Sequence, residues 1–151
     1  MIPIQYKSLN TTPPALVDNT TATATEIDTA GYSYGVITVS FGVMDIAVSS
    51  LKLQMSDTSG SGFADVPGTT FGTDTAVDAS TSALPSASSD SGQFTWEIDL
   101  LGKKRYFEVV CTVGDGSAGD YMHIHTLLLN PENGPDPDSI TDKGLTGLLR
   151  A

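Results

Sequence analysis

The chain has 151 residues, 18 acidic residues against 7 Lys and Arg, and a formal net charge of −11. No Lys or Arg occurs between residues 53 and 102, which argues against direct nucleic-acid binding, because that activity needs a basic footprint. No apolar run is long enough to span a membrane and the first residues lack the features of a signal peptide, so we expect a protein made in a cytoplasm.

The first residues are predicted to form an extended N-terminal arm, residues 1–20. Pro13 and Pro14 exclude a helix there and keep the backbone extended. Residues 15–18 fit a short first strand, and the Thr-rich residues 23–28 fit another strand at an edge. We place the folded domain at residues 21–130.

The middle of the chain carries two clear strand patterns. Residues 35–42 are β-branched and bounded by glycine, and residues 50–57 alternate with Leu residues and Met55 facing inward. Residues 43–48 fit either a strand or a connection. Residues 72–92 are mostly Ser, Thr, Ala, Asp and Gly, which predicts a long surface loop.

Residues 93–100 alternate apolar and polar side chains without a break, so one face of this strand must be buried, with Trp96 on it. A basic turn at 102–105 follows, and then a second strand at 106–113. This order predicts a β-hairpin from a sheet with one face exposed to solvent. Cys111 shares the apolar face of the second strand, which indicates a buried thiol.

Residues 121–129 are predicted to be the last long strand, and the prolines after it mark a C-terminal tail, residues 131–151. The chain thus contains about seven or eight short strands with turn signals between them. The pattern predicts an all-β fold, an antiparallel β-sandwich of jelly-roll or immunoglobulin-like type with extended N- and C-terminal arms.

Candidate chemistry is sparse. His123 and His125 share one strand face and could ligate a metal if a third ligand arrived, as at an oligomer axis, but polar residues on a wet or subunit-facing sheet surface are the favoured interpretation. Residues 115–120 have acids at both ends of a turn but lack the remaining ligands of a calcium loop. No motif for a nucleophile, phosphate or dinucleotide is present. We therefore expect no enzyme, no cofactor and no bound metal.

The basic turn and the two arms are the candidate partner-binding features. Extended arms with apolar anchors suit docking on another chain, although they could also wrap back on their own domain. The basic turn could contact an acidic partner, or it could simply keep the strand ends exposed to solvent. The candidate residues are Ile2, Ile4, Tyr6, Lys103, Lys104, Arg105, Leu145, Leu148 and Leu149.

Two segments carry a resemblance to a known family. They are Leu51-Lys52-Leu53-Gln54-Met55-Ser56-Asp57 continuing through Gly62-Phe63-Ala64-Asp65-Val66-Pro67-Gly68, and Ile98-Asp99-Leu100-Leu101-Gly102-Lys103-Lys104-Arg105-Tyr106-Phe107-Glu108-Val109-Val110. Together they resemble small tailed-bacteriophage virion proteins of the head decoration or cement type.

The resemblance implies a capsid-surface protein, often a trimer, that binds between major capsid proteins and stabilises the mature head, with no catalytic residues. A tail, neck or fibre-associated component is the alternative within the virion. A carbohydrate-binding module is a further alternative, in which Tyr32, Tyr34 or Tyr121 would stack on sugar. An enzyme is the least favoured interpretation.

Overall fold

The computed structural model describes residues 5–18, 20–23 (backbone alone), 26–115, 117, 119–132 and 141–148. These residues form strands joined by turns and loops, with no helix among them. The strands are β1 Tyr6–Val17, β2 Thr20–Thr23, β3 Ile27–Asp28, β4 Tyr32–Phe41, β5 Ser50–Ser56, β6 Ala64–Asp65, β7 Gln93–Asp99, β8 Tyr106–Val113 and β9 Asp120–Pro131.

The strands form two antiparallel sheets. Sheet A has the order β1-β9-β4-β7, and sheet B has the order β2-β8-β5-β6 with β3 also paired to β8. In sheet A, β4 pairs with β9 from Tyr32↔Pro131 to Phe41↔Met122. In sheet B, β5 pairs with β8 from Ser50↔Thr112 to Ser56↔Tyr106. The predicted all-β antiparallel sandwich is confirmed.

A single hydrophobic core lies between the sheets. Alternate residues of β4, β7 and β9 supply one side of it, and alternate residues of β5 and β8 supply the other. Trp96 is 7 % exposed, and Leu53, Phe107 and Cys111 are fully buried. The inward orientation predicted for Trp96 and Cys111 from period-two alternation is therefore confirmed.

The predicted N-terminal arm contains strand β1, which pairs along β9 from Tyr6↔Leu129 to Val17↔Asp120. Its register shifts between Asn10 and Ala15, and Pro13 and Pro14 are exposed in that interval. Proline is tolerated there because β1 is an edge strand with a bulge. Residues 1–4 lie outside the described residues, and the arm boundary at residue 20 stays a prediction.

The predicted hairpin of residues 93–113 is wrong, because its two strands belong to different sheets. β7 pairs with β4 in sheet A, whereas β8 pairs with β5, β2 and β3 in sheet B. The intervening turn carries the chain across the end of the sandwich. Each strand has one apolar face, and that face meets the shared core whether the strands are neighbours in one sheet or face each other.

The remaining connections are loops. Residues 43–48 form a connection whose Asp45 and Ile46 amides donate to Asp120 Oδ1, at 2.8 and 3.4 Å. Residues 72–92 contain no strand beyond an isolated bridge between Thr75 and Thr81. The long surface loop is thus where the composition predicts it.

Candidate partner-binding surfaces

The basic turn is largely neutralised within the chain. Arg105 Nε and Nη2 donate to the two carboxylate oxygens of Asp28 at 2.8 and 2.7 Å. Lys104 Nζ lies 3.7 Å from Asp57 Oδ2. The hydrogen bond from Arg105 holds the pKa of Asp28 below its ordinary value. Lys103 is exposed on the same turn. The turn therefore ties loops of this end of the sandwich together and leaves little open positive charge.

Strand β1 and residues 141–148 meet along the free edge of sheet A. Ser8 N donates to Lys143 O at 2.7 Å, and Lys143 Nζ lies 4.2 Å from the centre of the Tyr6 ring. Lys143 is 1 % exposed. The C-terminal segment, residues 141–148, thus docks on β1, and Leu145 and Leu148 are half-buried in it. These contacts match the alternative in which the arms wrap back on their own domain.

Three of the candidate anchor residues lie outside the described part of the chain, so their contacts stay a prediction. These are Ile2, Ile4 and Leu149.

Tyr6 lies at the same end of the sandwich as the basic turn, because one row of paired residues crosses sheet A there. The row runs Tyr6, Leu129, Tyr34, Asp99.

The histidine pair lies on the outer face of sheet A, as alternation predicts. His125 Nε2 lies 2.8 Å from Ser8 Oγ, and His123 Nε2 lies 2.9 Å from Asn10 Oδ1. Partial burial, and then the neighbouring His123, lower the pKa of His125. Within the described residues no three His, Cys, Asp or Glu side chains are grouped to hold a metal. The pair therefore bridges β9 to β1.

An exposed apolar patch lies at the end of sheet A opposite the basic turn. Leu16 pairs directly with Tyr121, and Tyr121 N donates to Val43 O at 3.4 Å. Leu16 is 54 % exposed, Val43 70 % and Tyr121 55 %. Exposed large apolar residues grouped at one end of a sheet are a feature of interaction sites. No local sequence pattern indicates this patch, because Leu16 and Tyr121 come together only through the pairing of β1 with β9.

A cleft of about 260 Å³ lies between β7 and the loop that follows β6. Trp96 Nε1 donates to Thr69 O at 2.8 Å, and the rings of Trp96 and Phe71 lie 5.2 Å apart. These contacts fix the loop beside the strand and leave a depression between them. No local sequence pattern indicates the cleft either, because its two walls are separate segments of the chain.

The buried thiol of Cys111 has no catalytic surroundings. Burial raises the pKa of Cys111 to about 12, with a smaller contribution from Asp120. A thiol with so high a pKa is a weak nucleophile at neutral pH. Asp120 is itself fully buried, and its Oδ1 accepts the amides of the connection at 43–48. Both residues thus serve the packing of this end of the sandwich.

Across the residues that the structure describes, no helix is long and apolar enough to cross a membrane. No protein-family model matches the chain, and no curated protein sequence is significantly similar to it. The fold is similar to the crystal structure of the SPBc2 prophage-derived protein YomS, with a TM-score of 0.51 and 14% sequence identity. The match covers 86% of this chain and 97% of that chain. At this identity the likeness is one of fold.

Proposed function

We propose that this protein is a non-enzymatic bacteriophage structural protein, a capsid decoration or cement protein that binds between major capsid proteins and stabilises the mature head. The observation that carries the proposal is the shared fold with a prophage-derived protein over 97% of that protein's length. A sandwich filled by its own side chains, with exposed loops and edges for contacts, suits a bracing role.

The sequence resemblance supports the proposal independently. Its two segments, residues 51–68 and 98–110, include most of β5 and the first part of β8, which pair side by side in sheet B. The resemblance therefore falls mainly on sheet B and on the turn that leads into β8 from the end of β7. A brace of this kind acts by binding the expanded lattice more tightly than its precursor, which shifts the equilibrium toward the expanded state.

The apolar patch of Leu16, Val43 and Tyr121 is the surface we assign to the capsid contact. Burial of apolar area supplies most of the affinity in protein association. The three residues are exposed, and the C-terminal segment docks on β1 at Ser8, away from them. The acidic net charge of −11 keeps the free protein from associating nonspecifically before it reaches the particle.

The location is tested by cryo-electron microscopy of the phage particle that encodes this chain. We expect density for the sandwich on the outside of the head, at positions where major capsid proteins meet, and trimers if the protein binds at threefold sites. Density at the tail, neck or fibre instead would replace the capsid assignment with that alternative. Absence from the particle would overturn the structural role.

Binding is tested with a double variant, Leu16→Ser with Tyr121→Ser, added to expanded heads that lack the protein. Sedimentation with the heads should weaken by about tenfold or more, since two apolar contacts of roughly 1 kcal/mol each are lost. The matched control is Leu101→Ser, because Leu101 is 69 % exposed on the turn at the opposite end. An equal loss of binding to the heads in both variants would show that the patch is not part of the interface.

A further inference from the structure

Strand β7 is an edge strand whose outer side carries no partner. β7 pairs with β4 on one side, and no described residue pairs with the other side. Within residues 26–115, which are all described, the loop beside β7 is joined to it by the Trp96 side chain and by no backbone hydrogen bond. An open edge of this kind is a template for another strand.

The direction of the unpaired backbone groups follows from the β4–β7 ladder. In an antiparallel pair, residues alternate between those that exchange hydrogen bonds and those that do not. Two bonds at the ends of this ladder involve even-numbered residues of the β7 segment: Phe41 N to Gly92 O at 2.9 Å, and Leu100 N to Ser33 O at 3.0 Å. The N–H and C=O groups of Thr95 and Glu97 therefore point away from β4, toward the open side.

The cleft lies on this open side, and its lining mixes apolar side chains with Thr, Ser and acidic residues. Its walls include Phe71, Ala76 and Val77 from the loop, and Trp96 and Ile98 from β7. Val77 is fully exposed. At about 260 Å³ the cleft is smaller than the roughly 300–1,000 Å³ of small-molecule sites, so it suits side chains of a docked peptide.

The charge around the edge has one sign. Residues 53–102 contain seven acidic residues and no Lys or Arg, and this stretch includes both the loop and β7. Glu97 stands on the outer face of sheet A beside the open edge, and Asp74 lines the cleft. A second copy of this chain added through its own β7 would place Glu97 and Asp99 near identical carboxylates, which is unfavourable.

We infer that the open edge of β7 binds an extended segment of another protein, in which apolar side chains alternate with Lys or Arg. The segment adds to sheet A as a further strand and hydrogen-bonds to the backbone of Thr95 and Glu97. Its apolar side chains enter the cleft, and its basic side chains lie on the outer face opposite Glu97. The inference does not depend on where in a phage particle the protein acts.

The first test uses a fluorescent peptide of alternating lysine and valine, with binding followed by anisotropy. Two control peptides share its length: one alternates glutamate and valine, and one carries N-methyl groups along a single edge. We expect binding of the lysine–valine peptide and loss of binding with both controls. Amide resonances of Thr95 and Glu97 should shift on titration. Equal binding of the N-methylated peptide would reduce the interaction to charge attraction and overturn strand addition.

The second test uses variants of the full chain with the same peptide. Thr95→Pro removes an N–H that points to the open side and blocks the edge, so binding should fall about tenfold or more. Glu97→Gln should weaken binding roughly two- to fivefold. Its matched control is Glu132→Gln, an exposed acid just beyond the end of β9, which should leave binding unchanged.

Circular dichroism and thermal melts establish that each variant is folded. The N-methylated peptide tests strand addition on the unaltered protein, so that test does not depend on any variant folding. Equal effects of Glu97→Gln and Glu132→Gln would contradict the site. Peptide-induced shifts confined to other strands would also overturn it. Dimers that light scattering detects in the unaltered protein and not in Thr95→Pro would assign the edge to a second copy and contradict the inference.

Discussion

Individual side chains on sheet A connect the two ends of the chain. His125 reaches Ser8 across 117 positions of sequence, and the Nε2–Oγ distance is 2.8 Å. In sheet B, Arg105, which directly precedes β8, makes a similar connection to Asp28 of β3. Each pair is polar and partly exposed, so each adds little stability and mainly fixes which segments adjoin. Lys104, Arg105 and the two histidines therefore have contacts within the chain, and a partner-binding role for Lys103 stays a prediction.

His125 should make stability depend on pH. Because the pKa of His125 is lowered in the folded protein, the unfolded chain takes up the proton more readily as the pH falls through the ordinary value of 6.5. Stability is therefore greatest above that value and falls as the pH drops below it. Urea unfolding of the unaltered protein and of His125→Gln, between about pH 8 and about pH 5, measures the effect. An identical pH dependence in both proteins would contradict it.

At the scale of the elements, the C-terminal segment depends on one glycine. Gly144 has a φ of +71°, and a Cβ there would collide with the carbonyl oxygen of Ser8. We expect Gly144→Ala to release residues 141–148 from β1 at a cost of about 1–2 kcal/mol. Hydrogen exchange of the Ser8 amide, which donates to Lys143 O, should speed up in this variant.

Gly147→Ala is the matched control for the C-terminal segment. No atom lies within contact distance of the position that a Cβ would take at Gly147. Exchange at Ser8 should therefore match that of the unaltered protein. If Gly144→Ala left the Ser8 amide equally protected, the docking of the segment on β1 would not depend on this close approach.

Local pattern predicted the faces of the strands and failed to predict their neighbours. Alternation correctly placed Trp96 and Cys111 in the core, since period two reports which side of a strand is buried. It could not report that β7 and β8 lie in opposite sheets, because both arrangements bury the same faces. Pro13 and Pro14 concealed β1, although an edge strand accepts proline.

The candidate site was less predictable than the fold. The partner of Arg105 is Asp28, and 77 positions separate them, a pairing that no local spacing indicates. The open edge of β7 and the patch of Leu16, Val43 and Tyr121 are consequences of strand order and of long-range pairing. Both depend on contacts between distant segments, which a single sequence does not specify.

At the scale of the whole molecule, one core holds both sheets. Leu53 is fully buried on β5, and Leu53→Ala should lower the free energy of unfolding by about 2–5 kcal/mol, through lost burial and a residual cavity. Leu101→Ala, at an exposed position, should change it by less than about 0.5 kcal/mol. Chemical denaturation of both variants measures the difference. Similar losses would contradict the placement of Leu53 in the core and of Leu101 at the surface.

The position of β9 between β1 and β4 has a consequence for how the chain folds. Every strand of sheet B precedes β9 in the sequence, so sheet B can assemble while the ribosome is still making the rest. In sheet A, β1 pairs with β9 and with no other described strand, so it waits for the last strand to emerge. Closure of sheet A is therefore a late and slow step, because its contacts are far apart in sequence. Until that step, the edges of β1 and β4 stay open to strands of neighbouring chains, and the nascent protein is most prone to aggregate.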